Sequence, residues 1–313
     1  MIKRVSILCI KILVTITLLV LVFEEVQLSV LVDEFNKLHS LTISLILLLA
    51  FSQLLIASAR WHKILGYFNI TLPLQKCVAY SWAGMFFSQA LPSSIGGDAY
   101  KILQIRSLNY SYQGAISSVI SDRVFGLIGV LSIILIFPFV ALTIGHTQIL
   151  ELDTVNLSLL SIFVLFLLFC LMKAVNLLRR FYHSRVVIKF AEQLLLFKAA
   201  HKIILFLILS SFLIHMITVL IFFSLSHSVS VEIIPISYLI VVPLMVLVTT
   251  LPISIAGWGV REGFLVFSLG QFGVEAEKSV SISVIYGILI LIFSIPGSSM
   301  WLLQNFKSDS GKA

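Results

Sequence analysis

The segment LPSSIGG at residues 91–97 recurs as LPISIAG at residues 251–257, and five of the seven positions are identical. A cation follows the proline of each copy by nine residues, as Lys101 in the first copy and Arg261 in the second. Each copy also ends an apolar stretch, and a proline followed by a glycine-rich turn breaks a helix. The two motifs therefore predict two helix breaks in apolar surroundings, and their offset of 160 residues predicts an internal repeat.

The composition around these motifs is that of a membrane protein. Hydrophobic residues make up 59% of the chain and charged residues 11%, against roughly 45–50% and 25% in soluble proteins. Six of eight apolar stretches have about the twenty-residue length of a bilayer-spanning helix, and the other two lead into the motifs. The eight stretches are residues 5–23, 41–59, 77–91, 115–143, 155–172, 203–225, 234–251 and 280–302. A water-soluble protein is excluded, and the sequence predicts an all-α polytopic membrane protein.

The distribution of Lys and Arg decides whether the two motif-bearing stretches cross the bilayer. If they form re-entrant hairpins over residues 77–106 and 234–272, six helices span and sixteen of the 21 cations face the cytoplasm. If all eight stretches cross, seven cations lie inside and eleven outside. Because short loops rich in Lys and Arg stay in the cytoplasm, the charges favour two re-entrant hairpins, with both termini cytoplasmic in the cell membrane. The alternative, two spanning helices merely kinked by Pro and Gly, conflicts with this distribution.

The offset of 160 residues also relates the spanning segments. It carries residues 41–59 onto 201–219 and residues 115–143 onto 275–303, both close to predicted spans, whereas the first span misses by roughly ten residues. Each repeat then contains two spans, a re-entrant hairpin and a third span, and three crossings invert the second repeat relative to the first. Inverted repeats with broken helices form the substrate site of many secondary transporters. The predicted repeats, within one integral membrane domain, are residues 1–150 and 151–313.

Three segments together resemble a known family. They are LPSSIGGDAYK at 91–101, SDRVFGL at 121–127 and LPISIAGWGVREG at 251–263. In this order they resemble the flippase-like membrane family, also called the lysylphosphatidylglycerol synthase transmembrane region or UPF0104, over roughly residues 5–305. The resemblance implies translocation of an aminoacyl-phospholipid, polyprenyl-linked or hopanoid-type lipid between leaflets. Many members have Arg in place of Lys101 and a second Gly in place of Ala256.

Charges that remain at bilayer depth mark candidate functional sites, because each costs at least about 2.5–3.5 kcal/mol there. Asp122 and Arg123 lie about ten residues into their helix, on the order of 12–15 Å along its axis. Basic side chains and backbone N–H groups at helix starts bind phosphate. The sequence predicts substrate contacts by Lys101, Arg123, Arg261, Gly96, Gly97, Gly257 and Gly259, and coupling or charge-pair roles for Asp98, Asp122 and Glu262.

The pairing of these charges is predicted from helix geometry. Neighbours at i and i+1 on a helix point roughly 100° apart and do not face each other. We therefore predict ion pairs across the repeats, Asp122 with Arg261 and Glu262 with Arg123. These pairs persist until the phosphate of a bound lipid displaces a carboxylate. The alternative is a permanent ion-pair network that only fixes helix packing. Asp98 is also predicted as the N-cap of the short helix after the first motif.

Two other functions stay open beside lipid translocation. One is a non-transporting scaffold for a lipid-modifying enzyme, and the other is a lysylphosphatidylglycerol synthase-related protein without its catalytic domain. The chain ends eleven residues after its last predicted span, so no catalytic activity is expected. Residues 185–202 predict an amphipathic helix on the cytoplasmic leaflet, which could dock a lipid- or glycan-modifying enzyme. No motif indicates a metal, a cofactor or a nucleic-acid partner.

Overall fold

The computed structural model describes residues 2–24, 28–90, 96–143, 201–251 and 253–309. This part of the chain forms ten α-helices and contains no β-strand. The helices are α1 (Ile2–Glu24), α2 (Leu28–Asn36), α3 (Ser40–Tyr67), α4 (Leu74–Ala90), α5 (Gly96–Ser107), α6 (Tyr112–Thr143), α7 (His201–Ser228), α8 (Pro235–Thr250), α9 (Val260–Gly270) and α10 (Ala276–Asp309). The span predicted at 155–172 and almost all of the surface helix predicted at 185–202 lie outside the described residues.

Within the described residues, four helices are long and apolar enough to cross a bilayer. They lie within α3, α6, α7 and α10, over Ser40–Tyr67, Tyr112–Ile136, His201–Ser228 and Ala276–Ser299. A shorter apolar helical segment, Ile12–Val22, lies in α1. Uninterrupted apolar runs of this length satisfy every backbone hydrogen bond within the helix, as the bilayer interior requires. The all-α polytopic class is confirmed in these elements, and the chain is a multi-pass membrane protein.

The Leu-Pro motifs break the helices where the sequence predicts. Helix α4 ends at Ala90, directly before the first motif, and α8 ends at Thr250, directly before the second. The second turn then places Ala256, Gly257 and Gly259 at φ values of 50°, 81° and 82°. Glycine adopts this left-handed conformation without a steric penalty, but an L-residue such as Ala256 carries a cost of roughly 1–2 kcal/mol. Glycine suits the position of Ala256 for this reason.

Each short helix pair packs against the spanning helices through close contacts. Trp82 of α4 donates its indole Nε1 hydrogen to the carbonyl oxygen of Phe293 in α10, at 2.7 Å, and its ring stacks on Phe293. Helix α5 packs back on α4 at Gly97, where any side chain would collide with the Gly84 carbonyl and the Ser88 hydroxyl. In the second pair, the Thr15 hydroxyl of α1 accepts a hydrogen bond from the Ile255 amide at 3.0 Å. Both helix pairs are therefore anchored to a neighbouring helix, the first to α10 and the second to α1.

Candidate functional site

A cavity of about 590 Å³ lies among α3, α5, α6, α7 and α8, and it is amphipathic. Its charged wall consists of Arg60, Asp98, Lys101, Asp122 and Arg123. Its apolar wall consists of Leu127, Val130, Ile214, Val246 and Leu247, with His215, Gly126 and Thr250 completing the lining. The volume falls within the range of small-ligand pockets, about 300–1,000 Å³. Such a cavity suits a ligand that is itself charged at one end and apolar at the other.

A buried ion pair forms part of the charged wall. The Nε of Arg60 donates to Oδ1 of Asp122 at 2.8 Å, and the side chains are only 8% and 15% exposed. The Nη1 of Arg60 also donates to the hydroxyl of Ser211 at 2.7 Å, so the guanidinium connects α3, α6 and α7. Helices α6 and α7 approach closely here, because a β-carbon at Gly129 would stand 2.6 Å from that of Ser211. The pair therefore fixes a crossing of three helices.

A second ion pair of the charged wall is more exposed. The Nε of Arg123 donates to Oδ2 of Asp98 at 2.8 Å, which joins α6 to α5, and the Arg123 side chain is 55% exposed. Exposed pairs of this kind contribute about 0–1 kcal/mol, whereas removing one partner of a buried pair costs about 3–5 kcal/mol. The Arg123 and Asp98 pair is therefore the one that a ligand can open.

Lys101 is the cation of this wall that has no ion-pair partner among the described residues. Its ammonium lies 4.6 Å from the centre of the Trp61 ring, a cation–π contact. His215 completes the site from α7, with its Nε2 3.0 Å from the carbonyl oxygen of Gly126.

The second motif builds a separate and closed cluster. Glu262 accepts from the Gly259 amide at 2.6 Å, from Arg261 at 2.9 Å and from Ser283 at 2.7 Å. The Nε of Arg261 also donates to Ser283 at 2.8 Å, and its guanidinium stands 4.9 Å from the centre of the Trp258 ring. The side chains of Arg261 and Glu262 are 7% and 0% exposed. The cluster is neutral and fully hydrogen-bonded, and it joins α9 to α10.

Sequence comparison now identifies the family. The pattern of the lysylphosphatidylglycerol synthase TM region matches residues 8–297, which is nearly the whole chain and includes both clusters. The chain belongs to this family. No curated relative matches it. The family suggested by the three segments is thereby confirmed.

In this member of the lysylphosphatidylglycerol synthase TM family, the predicted site residues divide into two groups. The cavity brings together Asp98, Lys101, Asp122 and Arg123. The closed cluster contains Arg261, Glu262 and Gly259, with Gly257 two residues earlier. The predicted Gly96 and Gly97 are the first residues of α5 and are buried, with Gly97 against α4.

The predicted cross-repeat ion pairs are wrong. Asp122 pairs with Arg60, Arg123 pairs with Asp98, and Glu262 pairs with its own neighbour Arg261. The argument from i and i+1 spacing fails at Glu262 because its carboxylate turns back to cap the helix at Gly259, where the long Arg261 side chain reaches it.

The N-cap predicted at Asp98 is also wrong. Helix α5 begins two residues earlier, at Gly96, which places Asp98 inside the first turn. Its carboxylate is directed to Arg123 of α6.

Arg60 lines the cavity but is not among the site residues predicted from the sequence. It directly follows an apolar stretch, and it is one of the sixteen cations that the charge distribution predicts to face the cytoplasm. The available signal is that α3 continues to Tyr67, and that Arg60 shares a helix face with Ile56 and the buried Ile64, four residues on either side. A cation within that apolar pattern belongs to the helix interface.

Proposed function

We propose that this protein translocates an anionic or phosphate-bearing lipid between the leaflets of the cell membrane, with both termini in the cytoplasm. The observation that carries the proposal is the amphipathic cavity, with three cations on one wall and aliphatic side chains on the other. A lipid could place its phosphate on the charged wall while its first methylene groups cover Leu127, Val130 and Val246. No catalytic step is assigned to these residues.

Two cations of the charged wall are available to contact the phosphate. Lys101 supplies an ammonium without a carboxylate partner among the described residues, and Arg123 supplies a guanidinium held by the exposed pair with Asp98. A guanidinium binds phosphate through two parallel hydrogen bonds, which are roughly twice as strong as bonds between neutral groups. When a phosphate displaces Asp98 from Arg123, the guanidinium therefore keeps an anionic partner throughout binding.

Helix lengths support two re-entrant hairpins. Helices α4, α5, α8 and α9 contain 17, 12, 16 and 11 residues. At 1.5 Å per residue they extend about 17–26 Å, which is shorter than the hydrocarbon core of about 30 Å. Each pair thus suits entry and return on one side, with the motif at the tip.

Helix boundaries and packing support an inverted repeat of residues 1–150 and 151–313. Adding 160 to the bounds of α3, α4 and α6 gives 200–227, 234–250 and 272–303, against 201–228, 235–250 and 276–309 observed for α7, α8 and α10. The packing corresponds as well, because α4 contacts α10 as α8 contacts α6, and α3 contacts α7. Transporters with such repeats expose their central site alternately to the two sides.

In this proposal, Arg261 is the counterpart of Lys101 in the second repeat. In the conformation described, Glu262 and Ser283 hold its guanidinium, so contact with the lipid requires the opposite conformation of the cycle. Gly257 and Gly259 would then present their amides to the same phosphate, as the turn after the second motif predicts.

The decisive experiment measures leaflet exchange in proteoliposomes. The purified protein is reconstituted with fluorescent anionic, zwitterionic and polyprenyl phosphate lipids, and the label in the outer leaflet is reduced with dithionite. The proposal expects exchange above that of empty liposomes, with a loss of at least about tenfold in Lys101→Gln, because the substituted site loses a charge-assisted contact worth about 1.5–3 kcal/mol.

Arg106→Gln is the matched control for that variant. It removes a cation from the same helix, α5, but its side chain is exposed, bonds the carbonyl of Tyr110 and does not line the cavity. Exchange at the wild-type rate is expected. No exchange by the folded wild-type protein for any lipid would instead favour the membrane scaffold.

A further inference from the structure

The charged wall of the cavity carries more positive than negative charge. Within the described residues that line it, the cations are Arg60, Lys101 and Arg123, and the anions are Asp98 and Asp122. With histidine counted as neutral at pH 7, the empty site has a net charge of +1. Both carboxylates already accept from a guanidinium, so Lys101 is the cation of this wall without a direct carboxylate contact among the described residues.

We infer that this site selects lipids whose headgroup carries a single negative charge, which is the charge of a phosphodiester. This inference rests on the proposed function and adds a rule for choosing among lipids. A phosphodiester neutralises the excess charge of the wall. A phosphomonoester or diphosphate leaves an excess anion, because a phosphomonoester carries about −1.5 to −2 near pH 7, and a zwitterionic headgroup leaves the +1 in place.

Selection by net charge is strong here because four of the helices that line the site, α3, α6, α7 and α8, are apolar. An uncompensated charge away from water costs several kcal/mol after relaxation. The corresponding discrimination between headgroups that differ by one charge is at least about tenfold in affinity, since each factor of ten requires 1.4 kcal/mol.

The apolar wall distinguishes a lipid from a free phosphodiester with the same charge. Leu127, Val130, Ile214, Val246 and Leu247 offer a surface that a soluble headgroup leaves exposed to water. Covering it raises the affinity about fourfold for each buried methylene group. A soluble glycerophosphodiester therefore binds more weakly than the lipid that carries the same headgroup.

The first test is a panel of lipids with the wild-type protein in proteoliposomes at pH 8. The labelled probes are a phosphatidylglycerol (one charge), a phosphatidate (about two), a polyprenyl diphosphate and a phosphatidylcholine (zwitterion). The phosphatidylglycerol should exchange at least about tenfold faster than the other three. Equal or faster exchange of the phosphatidate or the diphosphate would overturn the inference.

The second test changes the charge of the site in both directions. Asp98→Asn raises it to +2 with almost no change of shape, and should shift the preference toward the phosphatidate. Lys101→Gln lowers it to zero, and should shift the preference toward phosphatidylcholine relative to phosphatidylglycerol. Arg106→Gln, outside the cavity, should preserve the wild-type order. If both cavity variants keep the wild-type order while only the rates fall, selection does not follow net charge.

Binding measurements separate failure of this inference from failure of the proposed function. Thermal stabilisation of the detergent-solubilised protein is measured with the same lipids and with glycerophosphoglycerol as the soluble headgroup. If no lipid exchanges but the phosphatidylglycerol stabilises most, translocation is wrong and the charge rule holds. Stabilisation by glycerophosphoglycerol at the same concentration as the lipid would refute lipid recognition at this site. These measurements use only the wild-type protein, so they do not depend on whether a variant folds.

Discussion

Removing the Asp122 carboxylate tests whether the buried ion pair with Arg60 stabilises the three-helix crossing. In Asp122→Ala, the Arg60 guanidinium keeps its bond to Ser211 but loses its carboxylate partner at a position where its side chain is only 8% exposed. Loss of one partner of a buried pair costs about 3–5 kcal/mol. At about 2 °C per kcal/mol for a chain of this size, the apparent melting temperature should fall by about 6–10 °C.

The assay is thermal unfolding in detergent, followed by intrinsic tryptophan fluorescence, with two matched variants. Arg123→Gln breaks the exposed pair with Asp98 and should lower the melting temperature by no more than about 2 °C. Arg60→Met combined with Asp122→Ala removes both charges of the buried pair and should recover most of the loss, because no uncompensated charge remains.

Two outcomes would refute this reasoning. If Asp122→Ala melts within about 2 °C of the wild type, the guanidinium is compensated elsewhere or hydrated, and the pair does not hold the crossing. If the double variant is no more stable than Asp122→Ala, the stability lost in Asp122→Ala comes from altered packing around residue 122 rather than from an unpaired charge on Arg60.

Two further predictions concern the backbone. Ala256→Gly should raise the free energy of unfolding by up to about 1 kcal/mol, because Ala256 has φ of 50° and glycine avoids the left-handed penalty, although it loses more entropy on folding. Chemical denaturation of both proteins in detergent measures the difference, and a lower stability of the variant would contradict a strained backbone at Ala256. Gly129→Ala should destabilise the protein by about 1–3 kcal/mol through overpacking against α7. Gly126→Ala should be tolerated, because its β-carbon would lie 3.8 Å from Arg60. Similar melting temperatures for the two variants would show that α6 and α7 can move apart at the crossing without loss of stability.

Much of the fold follows from short-range features of the sequence. The helix breaks at Ala90 and Thr250 follow from the Leu-Pro motifs, and the depth of Asp122 follows from its distance along α6, which begins ten residues earlier at Tyr112. Lys101 joins Arg123 in the cavity because each lies at a predictable distance from a helix start. These properties depend on chain distance and local conformation, which a sequence expresses directly.

The choice of ion-pair partner could not be predicted in the same way. It depends on the rotation of each helix about its axis and on how closely two helices approach, and hydropathy fixes neither quantity. Arg60 reaches both Asp122 and Ser211 where α3, α6 and α7 cross, and α6 approaches α7 closely there because Gly129 has no side chain. The pairing of Glu262 with Arg261 depends on a carboxylate that turns back to the end of its own helix, which residue spacing alone does not reveal.

The two ion pairs of the cavity differ in what they allow to move. Arg60 connects α3, α6 and α7, so any rearrangement that separates these helices would expose a buried charge, and the three must travel as one rigid frame. Helix α5 is joined to that frame through Asp98 and the half-exposed Arg123 side chain, which water or a ligand can replace at little cost. The cavity should therefore change its volume by displacement of α5, while the frame keeps its shape.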